Sequence, residues 1–420
     1  MSKILIHSIA FSPDGVSTAY LYNDIALRFK KEGFDVVVLS TTPHFNLVES
    51  EAVKQPLKKM FAGMYYKSNF ADIVVYHVPQ KKYKSTILRL TGFVKWHILS
   101  LLIGIFQRKV DLIISPSPPL TIGMINVILA KLKRAKVIYN VQEIYPDLLI
   151  KEGGLKSKAI IKILKKTESF VYSHSDAVTT IDEVFYNTII SRFKDKSKLT
   201  VIPNFVDTDI YKPTSLNKNV FSAEIKELLL SLPDEKLKVV YAGNIGHAQD
   251  WDILLETASN LRDSNVEFFV IGEGVLKADL ERKIIENSIV NIHLLPYQKR
   301  EFMPQILAWS DLQFIFMSPN TEGHGFPSKV YTIMACAKPL LISSGKNTPI
   351  VRFLNEINCS FIADDKDYSQ RVNKLVDFLK SVNNKKLITM GENGLGVISE
   401  KYTKEIVTQQ YIQLVNKLLS

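Results

Sequence analysis

The densest group of chemically able side chains is Thr321, Glu322, Gly323, His324, Gly325, Phe326, Pro327, Ser328 and Lys329. A carboxylate and two glycines share a loop, and Pro327 then stands where a helix would open and a missing N–H costs nothing. Ser328 and Lys329 follow at the predicted helix start, where free backbone N–H groups and the dipole attract anions. Amides, one hydroxyl and one cation in this order suit a diphosphate. A plain helix start would explain Pro327 and Ser328 but not Glu322 beside paired glycines. Gly243, Asn244 and Gly246 directly follow a β-branched run, as do Gly272 and Gly274. Glycine there lets backbone N–H groups point at phosphate, with an ordinary strand-to-helix turn as the alternative. Neither loop is the three-glycine dinucleotide fingerprint or a Gly-Lys-Ser/Thr phosphate loop.

The first half offers Gly15 and Ser17 in a loop ahead of a helix, and the polar stretch from Asn140 to Asp147. Within that stretch Gln142, Glu143 and Tyr145 suit hydroxyl recognition, as a sugar requires, while capping by Asp147 after Pro146 is the structural alternative. Asp207, Thr208 and Asp209 spell a metal motif, but behind Pro203 and Asn204 they read as a turn. Asp364, Asp365 and Asp367 have no neighbouring His and read as a solvated turn. Cys336 and Cys359 are too few for a disulfide framework and lack His partners, so neither structural zinc nor an oxidising compartment is expected.

These loops need strands to hold them. Short β-branched runs at 4–6, 36–39, 112–114 and 137–139 alternate with helical patterns, and the rhythm restarts at 238–241, 268–271, 292–295 and 312–316. Runs buried on both faces and separated by helices predict an α/β chain of two Rossmann-like, doubly wound domains facing a central cleft. The expected boundaries are 1–205, 206–399 and 400–420, the last an amphipathic helix that packs back on the first domain. Ser115 to Pro119 reads as a stiff loop after a strand.

The chain has 420 residues, is 46% hydrophobic and 23% charged, and carries a net charge of +11, which excludes disordered and collagen-like classes. The charge is uneven: residues 1–205 carry +13 and 206–420 carry −2. Such asymmetry marks a half that faces a polyanion or an anionic membrane surface, with a solvated basic face as the alternative. Its basic residues are not interleaved with stacking aromatics, so nucleic acid is not expected. No signal peptide is read at the start, and the apolar stretch Trp96 to Phe106 falls short of the roughly 20 residues a spanning helix needs. Lys81, Lys82, Lys84, Arg89 and Lys95 precede it and Arg108 and Lys109 close it, which suits an interfacial helix or a core helix with a basic rim.

Taken together, the Gly15 loop, Ser117 to Pro119, Asn140 to Asp147, Pro203 to Asp207, Tyr241 to Gly246, Gly272 to Gly274 and Pro327 to Lys329 resemble glycosyltransferase family 4. These are retaining enzymes of the GT-B fold, and the resemblance is strongest to a WbuB/WcaI-like group of bacterial fucosamine and fucosyl transferases. It implies an amino-terminal acceptor domain with Gly15, Ser17, Gln142 and Tyr145, and a carboxyl-terminal donor domain. The donor set would be Gly243, Asn244, Gly246, Gly272, Gly274, Gly325, Phe326, Pro327, Ser328 and Thr332, with Glu322, Lys329 and Glu143 catalytic. Of the family's paired glutamates Glu322 matches the first, whereas Thr332 stands at the second, the ribose-contacting position. The loop after Gly243 lacks the cation many relatives use on the diphosphate, which leaves more of that task to Lys329. The implied reaction needs no cofactor or metal. It takes an L-fucosamine-type, N-acetylated sugar from a nucleotide diphosphate, UDP first, to a polyprenyl-diphosphate-linked saccharide in surface polysaccharide synthesis, on the cytoplasmic face of the bacterial inner membrane. A UDP-sugar 2-epimerase on a similar scaffold is the alternative.

Overall fold

The computed structural model describes residues 2–80, 85–151, 153–221, 223–233, 235–322 and 326–420. Lys81, Lys82 and Lys84 of the basic run, and Gly323, His324 and Gly325 of the glycine loop, lie outside the described residues. The chain divides into two compact units, residues 1–204 with 404–420, and residues 205–403.

Among the described residues the first unit holds one nine-stranded sheet. Its strands are β1 (Lys3–His7), β2 (Asp35–Thr41), β3 (Lys58–Met60), β4 (Tyr65–Phe70), β5 (Ile73–Val78), β6 (Leu112–Ser117), β7 (Lys136–Val141), β8 (Ala177–Thr180) and β9 (Leu199–Val201). The spatial order is β3-β4-β5-β2-β1-β6-β7-β8-β9, parallel from β5 onward and antiparallel in the β3-β4-β5 meander. Leu5, Val37, Leu39, Ile113 and Val137 alternate onto one face and pack with Trp96 of the helix Thr86–Phe106. That alternation explains why consecutive apolar residues can all be buried: each face of a parallel sheet is covered. The carboxyl-terminal helix Lys404–Leu419 belongs to this unit and packs on the helix Ser17–Lys31, with Arg28 donating to Gln409.

The second unit holds β10 (Leu237–Ala242), β11 (Val266–Ile271), β12 (Ile292–Leu295), β13 (Leu312–Phe316), β14 (Leu340–Ser343) and β15 (Ser360–Ala363), all parallel, in the order β12-β11-β10-β13-β14-β15. The sheet winds outward in both directions from β10. The loops that leave β10 and β13 on either side of that reversal therefore diverge and leave a crevice at the carboxyl edge.

Four expectations are corrected. Ser115, Pro116 and Ser117 are not loop: β6 continues to Ser117, paired there only with β7 because its pairing with β1 ends at Ile6 and Ile114. On the open side Pro116 owes no N–H to a ladder, so proline is tolerated. The helix expected from Glu400 is broken at Thr403, which is extended, because the Tyr402 carbonyl accepts the Val206 N–H at 3.0 Å. Ile398–Tyr402 is a π-helical turn, and the terminal helix begins at Lys404. Pro327 lies outside the first helical turn, two residues ahead of the helix Lys329–Ala335. Asp365 and Asp367 do not form a free solvated turn, since Asp365 pairs with Lys374 at 2.7 Å and Asp367 caps the helix Tyr368–Ser381 through the Gln370 N–H.

Candidate active site

The chemistry-bearing residues of the second unit gather at the carboxyl edge of its sheet. Lys329, first residue of its helix, reaches back so that Nζ donates to the Ala242 carbonyl at 3.0 Å and stands 3.7 Å above the Tyr241 ring. Among the described residues no carboxylate forms an ion pair with it. Burial without such a partner lowers the ammonium pKa to about 7. Gly243 makes this approach possible: a Cβ there would stand 2.6 Å from Nζ. The turn is braced below by the Tyr241 hydroxyl, which donates to the Asn244 carbonyl at 2.8 Å, and by Trp251 Nε1, which donates to the Gly246 carbonyl at 3.0 Å.

Two more glycines are set by backbone contact. A Cβ on Gly272 would lie 1.9 Å from the Gly243 carbonyl oxygen, and one on Gly274 would lie 2.1 Å from that of Ile245. The Gly243 and Ile245 N–H groups donate to Ile271 and Glu273, both at 2.9 Å, so the loops after β10 and β11 are laced together. At Gly246 the obstacle is only the Asn244 side-chain amide, which can move.

Glu322 stands at the end of the loop leaving β13, its N–H bonded to the Ser318 carbonyl at 2.9 Å. Its carboxylate accepts the Gly345 N–H at 2.6 Å and the Ser344 hydroxyl at 3.5 Å, and the Arg371 guanidinium lies 3.8 Å away. Phe326 packs against Tyr331 and Phe353, which seats the residues just before the helix. Pro327 and Ser328 lead directly into Lys329, with the Pro327 and Ser328 carbonyls accepting from Val330 and Tyr331. Thr332, predicted at the ribose position, turns its hydroxyl onto the Lys329 carbonyl at 2.8 Å. That bond occupies its only proton but leaves acceptor capacity.

The first unit treats its candidates differently. Gly15 sits in a loop pinned by the buried Asp14, whose carboxylate accepts the N–H groups of His44, Phe45 and Asn46 at 3.1, 3.1 and 2.6 Å. A Cβ on Gly15 would meet Val48 Cγ2 at 2.5 Å, so this glycine is accounted for by packing of its own loop. Ser17 opens the following helix. Gln142 exchanges two hydrogen bonds with Asn204, both 2.9 Å, and donates to Asn140 Oδ1 at 2.6 Å. Its amide is spent on structure, which explains the residue without an acceptor. The Glu143 backbone is clamped by Ser117, whose hydroxyl donates to its carbonyl at 2.9 Å and accepts its N–H at 3.3 Å. Tyr145 packs against the core of this unit. Asp147 is paired with Arg192 at 2.5 Å, and the same guanidinium takes Glu168. Asp207, set aside as a turn, has that geometry: its carboxylate accepts the Asp209 N–H at 3.0 Å. Among the described residues no group of three His, Cys, Asp or Glu side chains is placed to hold a metal ion.

Family models match both units. The one described as Glycosyltransferase Family 4 covers residues 19–210, and the one described as Glycosyl transferases group 1 covers residues 236–381. The chain is a family 4 glycosyltransferase. It is 24% identical over 357 residues to WcaI of Escherichia coli (strain K12), named for colanic acid biosynthesis glycosyl transfer, across 83% of this chain and 84% of that one. It is also 24% identical over 320 residues to WbjE of Pseudomonas aeruginosa, named as a glycosyltransferase, across 74% and 76%. Among solved structures, Anabaena HepE in complex with UDP and glucose has a TM-score of 0.70 at 14% identity, covering 99% of this chain and 100% of that one. WaaG, a glycosyltransferase of lipopolysaccharide biosynthesis, has a TM-score of 0.64 at 11% identity, covering 97% and 98%. At these identities the structural likeness shows the fold, which is GT-B.

For a glycosyltransferase, two residues escaped the sequence reading. Gly345 presents the N–H that holds Glu322, and its missing Cβ leaves room for Oε1 at 2.6 Å. Its signal was a glycine following β14, a strand only four residues long that the periodicity did not reveal. Arg371 lies 49 positions beyond Glu322 in the chain, and no spacing rule joins them.

Proposed function

We propose that this glycosyltransferase binds a nucleotide diphosphate sugar in its second unit, UDP being the first base to test, and transfers the sugar with retention to a polyprenyl-diphosphate-linked saccharide. The observation that carries the reading is Lys329: among the described residues folding leaves this cation without a carboxylate, beside the Gly243 backbone, at the sheet edge where ligands bind in such domains. A departing diphosphate supplies the missing negative charge. The acceptor hydroxyl oxygen bonds to the anomeric carbon as the bond from that carbon to the β-phosphate oxygen breaks. The phosphate oxygen released on the same face takes the hydroxyl proton. No protein nucleophile is needed, and Lys329 with neighbouring amides stabilises the charge that develops. Glu322 accepts hydroxyls of the sugar and thereby orients it.

With cation and amides doing this work, the reaction is proposed to be metal-independent. An N-acetylated L-fucosamine donor is the first sugar to test, because the motif set resembles the fucosamine and fucosyl transferases. A lipid-linked acceptor places the enzyme at the cytoplasmic face of the inner membrane. Support comes from the +13 charge of residues 1–205 and from the helix Thr86–Phe106, which exposes Leu90, Val94, Ile98 and Leu102. Among the described residues no helix is long and apolar enough to cross a membrane. The test is a screen of purified protein against UDP-sugars with and without an undecaprenyl-diphosphate-linked acceptor in EDTA, reading product and anomeric configuration by NMR. Transfer with inversion, or transfer that requires added magnesium or manganese, would overturn the proposed mechanism.

A further inference from the structure

Helix Tyr368–Ser381 buries Val372, Leu375, Val376, Phe378 and Leu379 along one face, and Arg371 lies on that same face, only 8% exposed. Packing alone would place an apolar residue there, because a buried guanidinium costs free energy unless its donors and charge are compensated. Its compensation is specific. Nε donates to the Asp365 carbonyl at 2.5 Å, which fixes the plane of the group, and Nη1 is aimed at Glu322 Oε2 from 3.8 Å. The half-buried Asp250 carboxylate, which caps the helix Trp251–Ser259 through the Ile253 N–H, also feels its charge. One cation from the helix after β15 thus faces carboxylates from the loops that leave β10 and β13.

We infer that Arg371 is the positioning residue for the sugar-contacting carboxylate, a step that rests on the donor-site reading above. Glu322 is held on one oxygen by the Gly345 N–H and the Ser344 hydroxyl. The guanidinium faces that same oxygen, so Oε1 is the atom left to accept from a sugar. Arg371 keeps this partly buried carboxylate turned that way without touching the donor. Specificity for the sugar, as opposed to the nucleotide, then depends on a residue outside the contact surface.

The experiment compares wild type, E322Q, R371Q, R371K and the E322Q/R371Q double variant by calorimetric titration with UDP and with a panel of UDP-sugars. The readout is the ratio of UDP affinity to UDP-sugar affinity. R371Q is expected to reduce the best sugar's advantage about tenfold, the size of one charge-assisted contact, with UDP affinity itself changed less than about twofold. R371K should recover part of the loss, and the double variant should be no worse than the worse single variant. If R371Q keeps the wild-type ratio while E322Q loses it, or if the losses add in the double variant, the inference is overturned. If E322Q itself keeps the wild-type ratio, the role given to Glu322 fails first and the inference falls with it. A general folding defect is separated from both, because it would weaken UDP and UDP-sugar alike.

Discussion

The two units repeat one architecture and spend their polar residues in opposite ways. In the second, the loops leaving β10, β11 and β13 bring Gly243, Gly272, Glu322 and Lys329 to one edge, and Lys329 is left without an ionic partner among the described residues. In the first, the corresponding polar residues are consumed: Gln142 by Asn140 and Asn204, Asp14 by three backbone amides, Asp147 by Arg192. A strand-end residue carries chemistry only if folding leaves its bonding capacity unspent. The second unit meets that condition inside its fold, whereas the first offers mainly charge and apolar surface.

The largest expected difference between the units is acid stability. His7 and His77 are buried in the first sheet, and burial lowers both pKa values to about 4. His7 Nδ1 bonds to Asn126 Oδ1 at 2.7 Å, and His77 is held between the Thr41 carbonyl at 3.0 Å and the Ser68 hydroxyl at 2.7 Å. Above pH 6.5 both folded and unfolded histidines are neutral and no stability is at stake. As pH falls from about 6.5 to about 4 only the unfolded chain takes up these protons, so each buried histidine costs up to ~3 kcal/mol, levelling off below pH 4. Hydrogen exchange read by mass spectrometry from pH 7.5 to 4.5 should show β1, β2 and β5 losing protection before β10 and β13. H77Q should remove about half the pH slope, and equal loss in both units would break the comparison.

Glycine substitution comes next. G272A drives a Cβ into the Gly243 carbonyl, a backbone atom that cannot rotate away, and should destabilise the second unit by ~3 kcal/mol and abolish measurable UDP binding. G15A meets a valine methyl at 2.5 Å, which can shift by a rotamer, and the Tyr20 hydroxyl and Asn46 carbonyl only at 3.0 and 3.2 Å, and should cost ~1 kcal/mol. Thermal unfolding of the two variants side by side checks the order; a larger loss for G15A would reverse it.

Lys329 gives the smaller, sharper test. K329A is expected to lower turnover by ~2 kcal/mol, about thirtyfold, with the melting temperature retained, since among the described residues the lysine has no ionic partner to lose. Its pKa of about 7 also fixes a sign. Below pH 7 the ammonium is already charged, and UDP affinity should not vary with this group. Above pH 7 the free enzyme has lost the proton that a bound diphosphate would retain, so affinity falls as pH rises and binding draws a proton from solution. Titration at pH 8.5 in buffers of different ionisation enthalpy should count close to one proton for wild type and none for K329A.

These contrasts also mark what the sequence could reveal. The parallel strands 4–6, 238–241 and 268–271 were legible because runs buried on both faces are continuous and β-branched. The glycine turns and Lys329 were legible because they directly follow or open such elements. The β3-β4 pair was not, since Lys58, Lys59, Tyr65, Tyr66 and Lys67 form a half-exposed meander with no apolar run. Neither were the Gln142–Asn204 exchange and the Arg371–Glu322 approach, which exist only because strands separated in the chain, and by one neighbour in the sheet, end at the same edge. The break at Thr403 was hidden for a related reason: amphipathic spacing runs through it, and the Val206 N–H that interrupts it comes from far along the chain.

The smallest expected effect concerns the surface of the first unit. Along the helix Thr86–Phe106, Leu90, Val94, Ile98 and Leu102 recur every four residues and stay 62%, 49%, 55% and 42% exposed. Leu90, Thr91, Val94, Lys95, Ile98 and Leu99 line an open groove there. A helix covered on one side by Leu99 and Ile103 against the core needs no second apolar stripe for folding, so this stripe asks for a non-aqueous neighbour. Lys95 beside it supplies the charge that favours anionic headgroups over a neutral surface. Each half-exposed aliphatic and each cation contributes ~1 kcal/mol at a lipid surface, so I98D with K95E should weaken binding to phosphatidylglycerol vesicles roughly tenfold or more in co-sedimentation. UDP titration should be unchanged, because the proposed donor site lies within the other unit. Transfer to a vesicle-embedded polyprenyl-diphosphate acceptor should slow, while transfer to a short-chain soluble analogue should not. Undiminished sedimentation of the double variant at low salt would assign the stripe to a protein partner instead and leave the two units alike in having no membrane role.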